Sequence, residues 1–466
     1  MQSSSVAGII LAAGKGTRMK SDLPKGLHRV CGLPMVEHVG RAIRASGVSR
    51  PIVVIGHGGE AMKAELGDGY DYVWQREQLG TGHAALMASE ALAGYEGPVI
   101  VASGDTPMLQ ADTFDELIKA HQTAGAVATL ATSLVDNPHG YGRIVRGDEG
   151  EFLKIVEQKD TNDEQNALRE VNAALYIFDS KTLFRILPTL KNSNAQGEYY
   201  LTDVLETVVA EGGKVVAKIF DNPDILAGVN DRWQLAQLDR EMRLRVIKQH
   251  AINGVTFLDL DSVSIGVDVT IGLDTVIEPQ TILVGNTSIG AGCRIGPFTR
   301  IEDSRIGDKS SIVASYLDTA VVGSSVWVGP WAHLRPKSNI GDGTKIGNFV
   351  EIKNATLAPG AKVNHLSYVG DATVGARSNI GAGTITCNYD GFSKSQTIIG
   401  ADAFVGSNST LVAPVSIGNG AFVAAGSVIT NEVPADAMAF GRARQENKEG
   451  RAAQWRKLKS ELKQGK

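Results

Sequence analysis

The sequence predicts an α/β domain with a mostly parallel sheet, followed by a parallel β-helix of hexapeptide repeats. Over residues 6–230, short apolar runs alternate with helical patterns, which is typical of an α/β domain. A helix is predicted over 231–250. From residue 265 onward an aliphatic residue recurs at every sixth position. Such a short, fixed period indicates a solenoid.

The N-terminal domain is predicted from the order of its elements. Apolar runs at 6–11, 52–55 and 99–102 end at glycine or turn residues and are predicted to be buried strands. Helical patterns at 36–46 and 82–92 lie between them. Because such alternation builds a parallel sheet, ligands are expected beyond the carboxyl ends of the strands.

The helix over 231–250 is predicted to connect the two domains. Asp231 is a suitable N-cap residue for it. One stripe of the helix carries Leu235, Leu238, Met242 and Arg245. A long helix of this kind is expected to be a rigid connector.

The C-terminal half is predicted from its period of six. The repeated positions are Ile265, Ile271, Ile277, Leu283, Ile289, Ile295 and Ile301, and then Ile399, Val405, Leu411, Ile417, Val423 and Ile429. A six-residue step fits one face of a triangular prism, so that a coil takes about 18 residues and 252–430 would hold about ten coils. The period is predicted to break once near 303–322, and again at an insertion between Thr386 and Ile399.

Length and composition narrow the class of protein. With 466 residues, two or three domains are expected, and 43% hydrophobic with 21% charged residues is typical of a globular protein. A net charge of -5 does not indicate a nucleic-acid partner. No apolar run approaches the roughly 20 residues of a membrane span, and a basic signal-peptide region is not found. Cys31, Cys293 and Cys387 form no CxxC pair. A cytoplasmic location without membrane insertion is expected.

A glycine loop follows the first apolar run. Gly14 and Gly16 allow the backbone to approach an anion, and amide groups at the next helix start would face it. Arg18 and Lys25 would add positive charge for a triphosphate. A dinucleotide fingerprint is disfavoured because Met19 replaces its third glycine, and the GxxxxGK[ST] motif is absent. A purely structural strand–helix turn stays open as the alternative.

Later loops of the same domain add further polar groups. Asp105 ends a predicted strand, where a carboxylate can hold a divalent cation against a phosphate; a helix-capping role is the alternative. Gln75 and the pair Gly80 and Thr81 offer amide and hydroxyl donors. Three more candidates, for which an ordinary surface or turn position is the alternative, are Glu157, Asn172 and Asn230.

Polar residues also gather near the breaks in the repeat. Arg335 and Lys353 are cationic, and His365 is the side-chain type best suited to take a proton near neutral pH. Tyr368 and Asn379 follow closely. The alternatives are a β-helix that is only a scaffold or an oligomerisation stalk, and a histidine in an ordinary surface or core position.

Several of these runs carry a family resemblance. Residues 11–19, 24–25, 78–82, 140–143 and 196–203 resemble those of sugar-1-phosphate nucleotidyltransferases. Together with 381–391, they make nearly the whole chain similar to the bacterial family of bifunctional N-acetylglucosamine-1-phosphate uridyltransferases and glucosamine-1-phosphate acetyltransferases. The resemblance implies acetyl transfer from acetyl-CoA to glucosamine 1-phosphate. Uridylyl transfer from UTP, with Mg²⁺, would follow and give UDP-N-acetylglucosamine and pyrophosphate.

The resemblance also implies roles in the N-terminal half. Arg18 and Lys25 would be catalytic cations on the phosphates, while Asp105 and Asn230 would hold Mg²⁺. The other substrate contacts would come from Leu11, Ala12, Ala13 and Gly14 for the nucleotide, Gln75, Gly80 and Thr81 for uracil, and Gly142, Glu157 and Asn172 for the sugar, with Ser103 and Gly104 as further substrate-binding residues. Gly26 departs from the family pattern, in which a branched aliphatic residue is usual, and would loosen its loop.

In the C-terminal half, the resemblance implies that His365 is the general base. Arg335 and Lys353 would bind the sugar phosphate, and Tyr368 and Asn379 the sugar. The acetyl-CoA site would be formed by Ala382, Asn388, Tyr389, Ser407, Ala425 and Arg442. The basic tail after Gly441 suits the CoA phosphates, with a solvated tail as the alternative. Family members have left-handed β-helices and are homotrimers with acetyltransferase sites between subunits.

The predicted domain limits are 1–230 for the uridylyltransferase domain, 231–251 for the linker, 252–441 for the acetyltransferase domain and 442–466 for the tail. One rival hypothesis is a single-activity sugar-1-phosphate nucleotidyltransferase with a structural β-helix. His365, Asn388 and Arg442 argue against it, since a scaffold needs none of them. Another rival is a non-catalytic assembly subunit, which Lys25 and Asp105 disfavour.

Overall fold

The computed structural model describes residues 6–464. Residues 1–5 and 465–466, which belong to the predicted N-terminal domain and basic tail, lie outside this range. The chain divides into two compact units, one up to Val246 and the other from Ile247, and this division falls within a long helix, Arg232–Ile252. None of the helices in the described range is both long and apolar enough to cross a membrane.

The first unit is an α/β domain. Its strands are β1 (Ala7–Leu11), β2 (Arg29–Val30), β3 (Leu33–Pro34), β4 (Ile52–Ile55), β5 (Asp71–Trp74), β6 (Pro98–Ser103), β7 (Ala128–Leu134), β8 (Arg143–Arg146), β9 (Phe152–Val156), β10 (Glu170–Asp179) and β11 (Val215–Phe220). Its helices are α1 (Met35–Ala45), α2 (Gly59–Leu66), α3 (Thr81–Leu86), α4 (Ala111–Ala124), α5 (Asp163–Asn166), α6 (Ser180–Ile186), α7 (Asp203–Ala210) and α8 (Arg232–Ile252). Seven strands lie in the order β11-β7-β10-β6-β1-β4-β5. Of these, β10 alone runs against the others, so the sheet is mostly parallel, as predicted.

The central strands are apolar throughout because both faces of the sheet are covered. Ile9 and Val54 belong to the apolar cluster on one face, while their neighbours Ile10 and Val53 belong to the cluster on the other. Successive side chains of a strand point to opposite faces, so each strand serves two cores. Burying each such side chain contributes about 1.5–3 kcal/mol.

The predicted helix over 82–92 is only partly correct. Helix α3 ends at Leu86, and the chain continues to Gly94 in turns. The N–H of Ser89 donates to the carbonyl of Leu86 at 3.0 Å, a contact between residues three apart rather than four. Such bonds tighten the chain and end the α-helix.

Helix α8 begins as predicted and packs on the first unit. The N–H of Gln234 donates to the Asp231 carboxylate at 2.9 Å, which satisfies an otherwise free amide of the first turn. Leu238 and Met242 are buried, and Arg245 donates to the carbonyl of Met108 at 3.0 Å. The predicted stripe is therefore the face that contacts the α/β domain.

The second unit is a parallel β-helix followed by one helix. Its strands β12 to β39 are, in order, Thr256–Phe257, Ser264–Ile265, Thr270–Ile271, Val276–Ile277, Ile282–Val284, Ser288–Ile289, Arg294–Ile295, Arg300–Glu302, Arg305–Ile306, Ser311–Ile312, Tyr316–Asp318, Val321–Val322, Trp327–Val328, His333–Leu334, Asn339–Ile340, Lys345–Asn348, Glu351–Leu357, Lys362–His365, Tyr368–Val374, Asn379–Ile380, Ile385–Cys387, Thr397–Ile399, Phe404–Val405, Thr410–Val412, Val415–Ile417, Phe422–Val423, Val428–Ile429 and Met438–Ala439. Helix α9 is Arg451–Gln464. One sheet takes eleven strands, from β12 to β39, and another takes seventeen. The eleven-stranded sheet contributes one strand to each coil. Ten of these strands lie within 252–430, as predicted, and Met438–Ala439 adds an eleventh beyond that range.

The core of the β-helix is a stack of aliphatic side chains with buried hydroxyls at the corners. Ile277 pairs with Ile295, which in turn pairs with Ile312 on the next coil. The buried Thr281 hydroxyl donates to the carbonyl of Glu278 at 2.7 Å. The Thr281 hydroxyl inside this thin core is thus paired, as burial requires.

The breaks in the period are corners shortened by one residue. A typical corner places a left-handed residue three positions after the buried aliphatic, as at Lys309 (φ 57°) after Ile306. In five steps the left-handed residue follows two positions after, and the next buried aliphatic comes one residue early. These steps run from Ile301 to Ile306, Ile312 to Leu317, Leu317 to Val322, Ile352 to Leu357 and Val369 to Val374, with left-handed residues Asp303, Ala314, Thr319, Asn354 and Asp371. The prediction of a single break near 303–322 is therefore wrong: three steps shorten there and two more shorten after residue 350.

Candidate functional site

A cleft of about 600 Å³ opens at the carboxyl ends of β1, β5 and β6. It is lined by the predicted residues Leu11, Ala12, Ala13, Gly14, Lys25, Gln75, Gly80, Thr81, Ser103, Gly104, Asp105, Gly142, Glu157, Asn172 and Asn230. The parallel strands explain this grouping, because their carboxyl ends share one edge of the sheet. Residues separated by more than 200 positions in the sequence thus reach one cavity.

The glycine loop after β1 is held by contacts on both sides. Gly16 has a φ of 58°, and a Cβ there would lie 2.7 Å from the Cβ of Lys25. Only glycine fits both the conformation and the space. The Arg232 guanidinium donates to the carbonyl of Met19 at 2.9 Å. At Gly26, a Cβ would lie 3.3 Å from Met62 and Val36, so the missing side chain is matched by close packing.

At one end of the cleft, the cationic side chains of Lys25 and Arg18 contact the side-chain oxygens of Asp105 and Asn230. The Lys25 ammonium forms an ion pair with Asp105 and lies 3.3 Å from Asn230 Oδ1. Arg18 Nη2 donates to the same Asn230 oxygen at 2.7 Å, and the Ser103 hydroxyl donates to Asp105 at 2.6 Å. The capping alternative for Asp105 is wrong, because its carboxylate bonds side chains and α4 starts only at Ala111.

The opposite end of the cleft is set by Gln75. This buried amide donates through Nε2 to the carbonyl of Gly80 at 3.0 Å and contacts His83 Nδ1 at 3.0 Å. The hydroxyl of Thr81 accepts from the N–H of Leu201 at 3.0 Å. The amide nitrogen of Gln75 is therefore engaged in fixing the loop.

A bulge in β10 forms one wall of the cleft. The pairing of β10 with β7 shifts between Asn172 and Tyr176, and Ala174 takes a φ of 52°. Asn172 accepts from the N–H of Ala174 at 3.1 Å and donates to the Tyr176 hydroxyl at 2.7 Å. Burial raises the pKa of Glu157, and nearby carboxylates add to this effect. Sequence reasoning missed Tyr176, because an aromatic within an apolar strand gives no polar signal.

A buried arginine supports the loop that carries Gly142. Arg143 donates to the carbonyl of Tyr141 and, at 2.8 Å, to Gln158 Oε1. The same Gln158 oxygen accepts from the N–H of Gly140 at 2.9 Å. Close approach explains the glycine at 142, where a Cβ would lie 2.8 Å from Ile155. Neither Arg143 nor Gln158 was a predicted functional residue.

The first helical residue of α7, Asp203, carries a pH-sensitive charge near this wall. Burial, with added repulsion from Glu206 and Asp160, raises the pKa of its carboxyl from the ordinary 3.8 to about 6. Because the folded state holds this proton more tightly than the unfolded state, stability falls as the pH rises through that window. Asp203→Asn should raise the unfolding temperature of the first unit at about pH 7 but not at about pH 4.

Scanning calorimetry over this pH range tests the expectation. The exposed carboxylate of Asp115 offers a matched control, and Asp115→Asn should shift the transition little at either pH. A difference between wild type and Asp203→Asn that stays constant with pH would contradict the assignment.

In the second unit, His365 ends the strand Lys362–His365 and is exposed. The neighbouring strand Lys345–Asn348 runs parallel to it, with Asn348 opposite His365. The two side chains meet, with Asn348 Oδ1 2.8 Å from His365 Nδ1. Asn348 was not predicted as a functional residue.

Cationic side chains gather on the adjacent sheet. Arg335 pairs with Glu351 at 2.8 Å, and Tyr368 lies opposite Glu351 in the strand register. The pKa of Lys353 is lowered by its contact with the Lys394 ammonium, and by like-charge repulsion from that group and Arg335. Lys394, which lies in the insertion, was missed by sequence reasoning.

The predicted residues of the insertion occupy two different environments. Asn388 is buried and donates to Asp371, while Tyr389 is exposed and its hydroxyl donates to the carbonyl of Gly391. Burial alone would raise the pKa of Asp371, but hydrogen bonds from Asn354 and Asn388, with the charges of Lys394 and Lys353, lower it overall. The Asn388 side chain therefore anchors the base of the insertion.

Four of the remaining predicted residues extend in a row from His365. The carbonyls of His365, Ala382 and Ser407 each accept from the N–H of a corner residue on the next coil, namely Gly383, Asn408 and Gly426. Ala425 directly precedes Gly426, and the Arg442 side chain lies beside that glycine. Asn379 is on the strand that neighbours His365's own. With adjacent coils about 4.8 Å apart, the row of small residues runs about 14 Å from the histidine to Ala425.

The basic tail forms a helix that packs against none of the described residues. Every side chain of Arg451–Gln464 is exposed. The helix was not predicted, because no apolar stripe packs it against a core. A docked tail is not observed among the described residues.

Comparisons with known proteins agree with this layout. Residues 8–181 match the MobA-like NTP transferase domain, residues 319–354 match the bacterial transferase hexapeptide family and residues 396–431 match the hexapeptide repeat of succinyl-transferase. The chain is 49% identical over 441 residues to the bifunctional protein GlmU of Geobacillus thermodenitrificans, covering 95% of this chain and 96% of that protein. The GlmU proteins of Halalkalibacterium halodurans and Streptococcus suis are also 49% identical, with 95% and 96% of this chain and 97% of each relative covered. The predicted fold class, a nucleotidyltransferase domain followed by a left-handed hexapeptide β-helix, is confirmed.

Proposed function

The chain belongs to the GlmU family of bifunctional proteins, and on that premise we propose that it makes UDP-N-acetylglucosamine in two steps. Acetyl transfer from acetyl-CoA to glucosamine 1-phosphate comes first, and uridylyl transfer from UTP follows. The observation that carries the proposal is that each unit has its own cluster of reactive side chains, around Lys25 and Asp105 in the first and around His365 in the second.

The first unit suits phosphoryl chemistry without a covalent enzyme intermediate. A phosphate oxygen of N-acetylglucosamine 1-phosphate attacks the α-phosphorus of UTP, the new P–O bond forms, and the α–β bond breaks to release pyrophosphate. Alignment and charge neutralisation are what such a reaction needs. Lys25 and Arg18 supply the positive charge, and Asn172 with Glu157 is placed to hold the sugar.

Mg²⁺ fits the end of the cleft that contains Asp105 and Asn230. Their carboxylate and amide oxygens converge on the Lys25 ammonium, so this end of the cleft already accommodates a positive charge. Hard oxygen donors of this kind suit Mg²⁺, which usually takes one or two protein ligands together with substrate phosphates. When bound, the ion would neutralise charge on the phosphates.

The second unit suits acyl transfer by general base catalysis. The amine of glucosamine 1-phosphate attacks the thioester carbonyl of acetyl-CoA, an N–C bond forms, and the C–S bond breaks to release CoA. His365 accepts the proton that the amine loses. Arg335, Lys353 and Lys394 carry positive charge that Glu351 and Asp371 only partly balance, which favours a bound phosphate.

The row from His365 to Arg442 suits the extended arm of CoA. Ala382, Ser407 and Ala425 are small residues on successive coils, along which a long, thin ligand can lie with its thioester beside the histidine. Arg442 at the far end offers charge for the CoA phosphates. This arrangement supports the acetyl-CoA assignment for these residues.

An exposed apolar ridge beside His365 supports a homotrimer with sites between subunits. Phe298, Trp331, Phe349 and Leu366 are each more than half exposed at corners of the β-helix. Contiguous apolar surface of this kind marks an interaction site. Because Leu366 directly follows His365, a second copy seated on the ridge would lie next to the histidine.

The rival with a single activity gives a different outcome in one assay. Purified protein is incubated with glucosamine 1-phosphate, acetyl-CoA, UTP and Mg²⁺, and free CoA and pyrophosphate are measured separately. We expect CoA release without UTP, and pyrophosphate release from the amino sugar only when acetyl-CoA is present. Pyrophosphate without CoA would make the β-helix a scaffold. Nucleotide binding without either product would indicate a non-catalytic subunit.

A further inference from the structure

Asn348 and His365 form a contact that no role assigned above explains. They are opposite each other on adjacent parallel strands, and cross-strand partners of this kind share one face of the sheet. Asn348 Oδ1 lies 2.8 Å from His365 Nδ1, within the range of a good hydrogen bond. Both strands are tied into the β-helix by backbone pairing at Lys345 and Lys362 and at Ile346 and Val363, which fixes the spacing of the two side chains.

We propose that Asn348 is a positioning residue that keeps His365 in the tautomer able to act as a base. A carboxamide oxygen only accepts hydrogen bonds, so its partner Nδ1 must carry the proton. The ring proton is then absent from Nε2, which is left with a free lone pair. This assignment rests on the proposed acetyl transfer. In that reaction, Nε2 of His365 would accept the proton from the amine, and the hydrogen bond at Nδ1 would fix the orientation of the ring.

The opposite amide orientation would have the opposite consequence. An Asn348 N–H aimed at Nδ1 would make that atom the acceptor, place the proton on Nε2 and remove the base. The direction of one hydrogen bond therefore decides whether His365 can take a proton. A neutral partner also differs from a carboxylate, which would stabilise the charged imidazolium and raise the histidine pKa.

Two substitutions separate a tautomer role from ordinary packing. Asn348→Ala removes the acceptor, and we expect acetyl transfer to lose about 10- to 100-fold in kcat, part of the 10²–10⁴ that a positioned general base provides. KM for both substrates should change little. Asn348→Asp keeps an acceptor at Nδ1, so it should retain activity at high pH while the acidic limb of its pH profile moves upward.

The charged groups around residue 348 are unchanged in both Asn348 variants, so a displaced acidic limb reports the change at 348 itself. The charged groups on the paired strands and the neighbouring cluster are Arg335, Lys345, Glu351, Lys353, Lys362, Asp371 and Lys394. Exposed Asn286, at a corner of an earlier coil, provides matched controls: Asn286→Ala and Asn286→Asp should leave the profile unmoved. Uridylyl transfer should be unaffected throughout, and an unfolding temperature of the β-helix equal to that of the wild type checks that each variant is folded.

A spectroscopic readout makes the test independent of turnover. The full chain is labelled with nitrogen-15 at histidine, and the His365 signals are assigned by comparison with His365→Gln. The chemical shifts should show the ring proton of His365 on Nδ1 in the wild type and a mixture of the two tautomers in Asn348→Ala. A proton on Nε2 in the wild type would overturn the inference. So would equal activities and unmoved pH profiles in both Asn348 variants. If acetyl transfer itself were absent from the wild type, the proposed function would fail, while the ring shifts would still decide the tautomer.

Discussion

Asp105→Ala is expected to lower uridylyl transfer by at least about 10²–10³-fold, the usual effect of removing a preorganised electrostatic contact. The carboxylate pairs with Lys25 and accepts from Ser103. Its loss would leave the Lys25 ammonium without its counter-charge. It would also remove one of the two oxygen donors proposed for Mg²⁺. Acetyl transfer should not change. Pyrophosphate release and CoA release, measured on the same preparation, check both halves of the expectation.

A neutral analogue distinguishes charge from shape at this position. Asp105→Asn keeps an oxygen that can accept from Ser103 but lacks the negative charge, so it should be nearly as impaired as Asp105→Ala. Binding of Mn²⁺, followed by its electron spin resonance without turnover, should weaken in both variants. Asp112→Asn, on the nearby helix Ala111–Ala124, is the matched control and should retain both activities. Full uridylyl transfer by Asp105→Asn would contradict the metal role.

The α/β fold was largely predictable because burial on both faces leaves a strong mark in sequence. The run Ile52–Ile55 was predicted with the bounds that the structure has, since every residue of it must be apolar. The helix after Gly80 was predicted too long, because its alanines suit both an α-helix and the tighter turns that follow. Propensity does not distinguish these, whereas packing does.

The candidate site of the first unit was predictable in position, but its supporting contacts were not. Loops at the carboxyl ends of parallel strands converge whatever their sequence, so Asp105 and Gln75 could be grouped in advance. Arg143 and Tyr176 act through hydrogen bonds to neighbouring groups. Such contacts depend on a bulge and a buried guanidinium, for which the linear sequence has no period.

In the β-helix, an error of one residue in the predicted repeat is enough to miss which side chains are neighbours on adjacent coils. Neighbours on adjacent coils are about 18 residues apart, so a correct phase would have paired Asn348 with His365 and Asp371 with Asn388. The shortened corners at Asn354 and Asp371 reduce the separation of each pair to 17. Because these two short steps were not predicted, the polar residues near them were found singly and not as pairs.

His365→Ala is expected to lower acetyl transfer by about 10²–10⁴-fold, the range for loss of a positioned general base. The histidine is exposed at the end of its strand and is held by Asn348, so its removal should not disturb the buried aliphatic stack. The uridylyl reaction, which depends on residues of the other unit, should keep its rate. CoA release with glucosamine 1-phosphate and pyrophosphate release with N-acetylglucosamine 1-phosphate measure the two steps separately.

A second histidine of the same β-helix provides the control. His333 stacks on Tyr316 with ring centroids 5.0 Å apart, and His333→Ala should leave acetyl transfer near the wild-type rate. Substrate already acetylated bypasses the first step, so it should restore nucleotide-sugar formation by His365→Ala. Loss of both activities in His365→Ala would show that the two sites are not independent. Retained acetyl transfer would require another base, but the Glu351 carboxylate is held in an ion pair with Arg335 and the Asp371 carboxylate accepts hydrogen bonds from Asn354 and Asn388. Acetyl transfer is therefore expected to depend on the His365 imidazole, whereas uridylyl transfer is not.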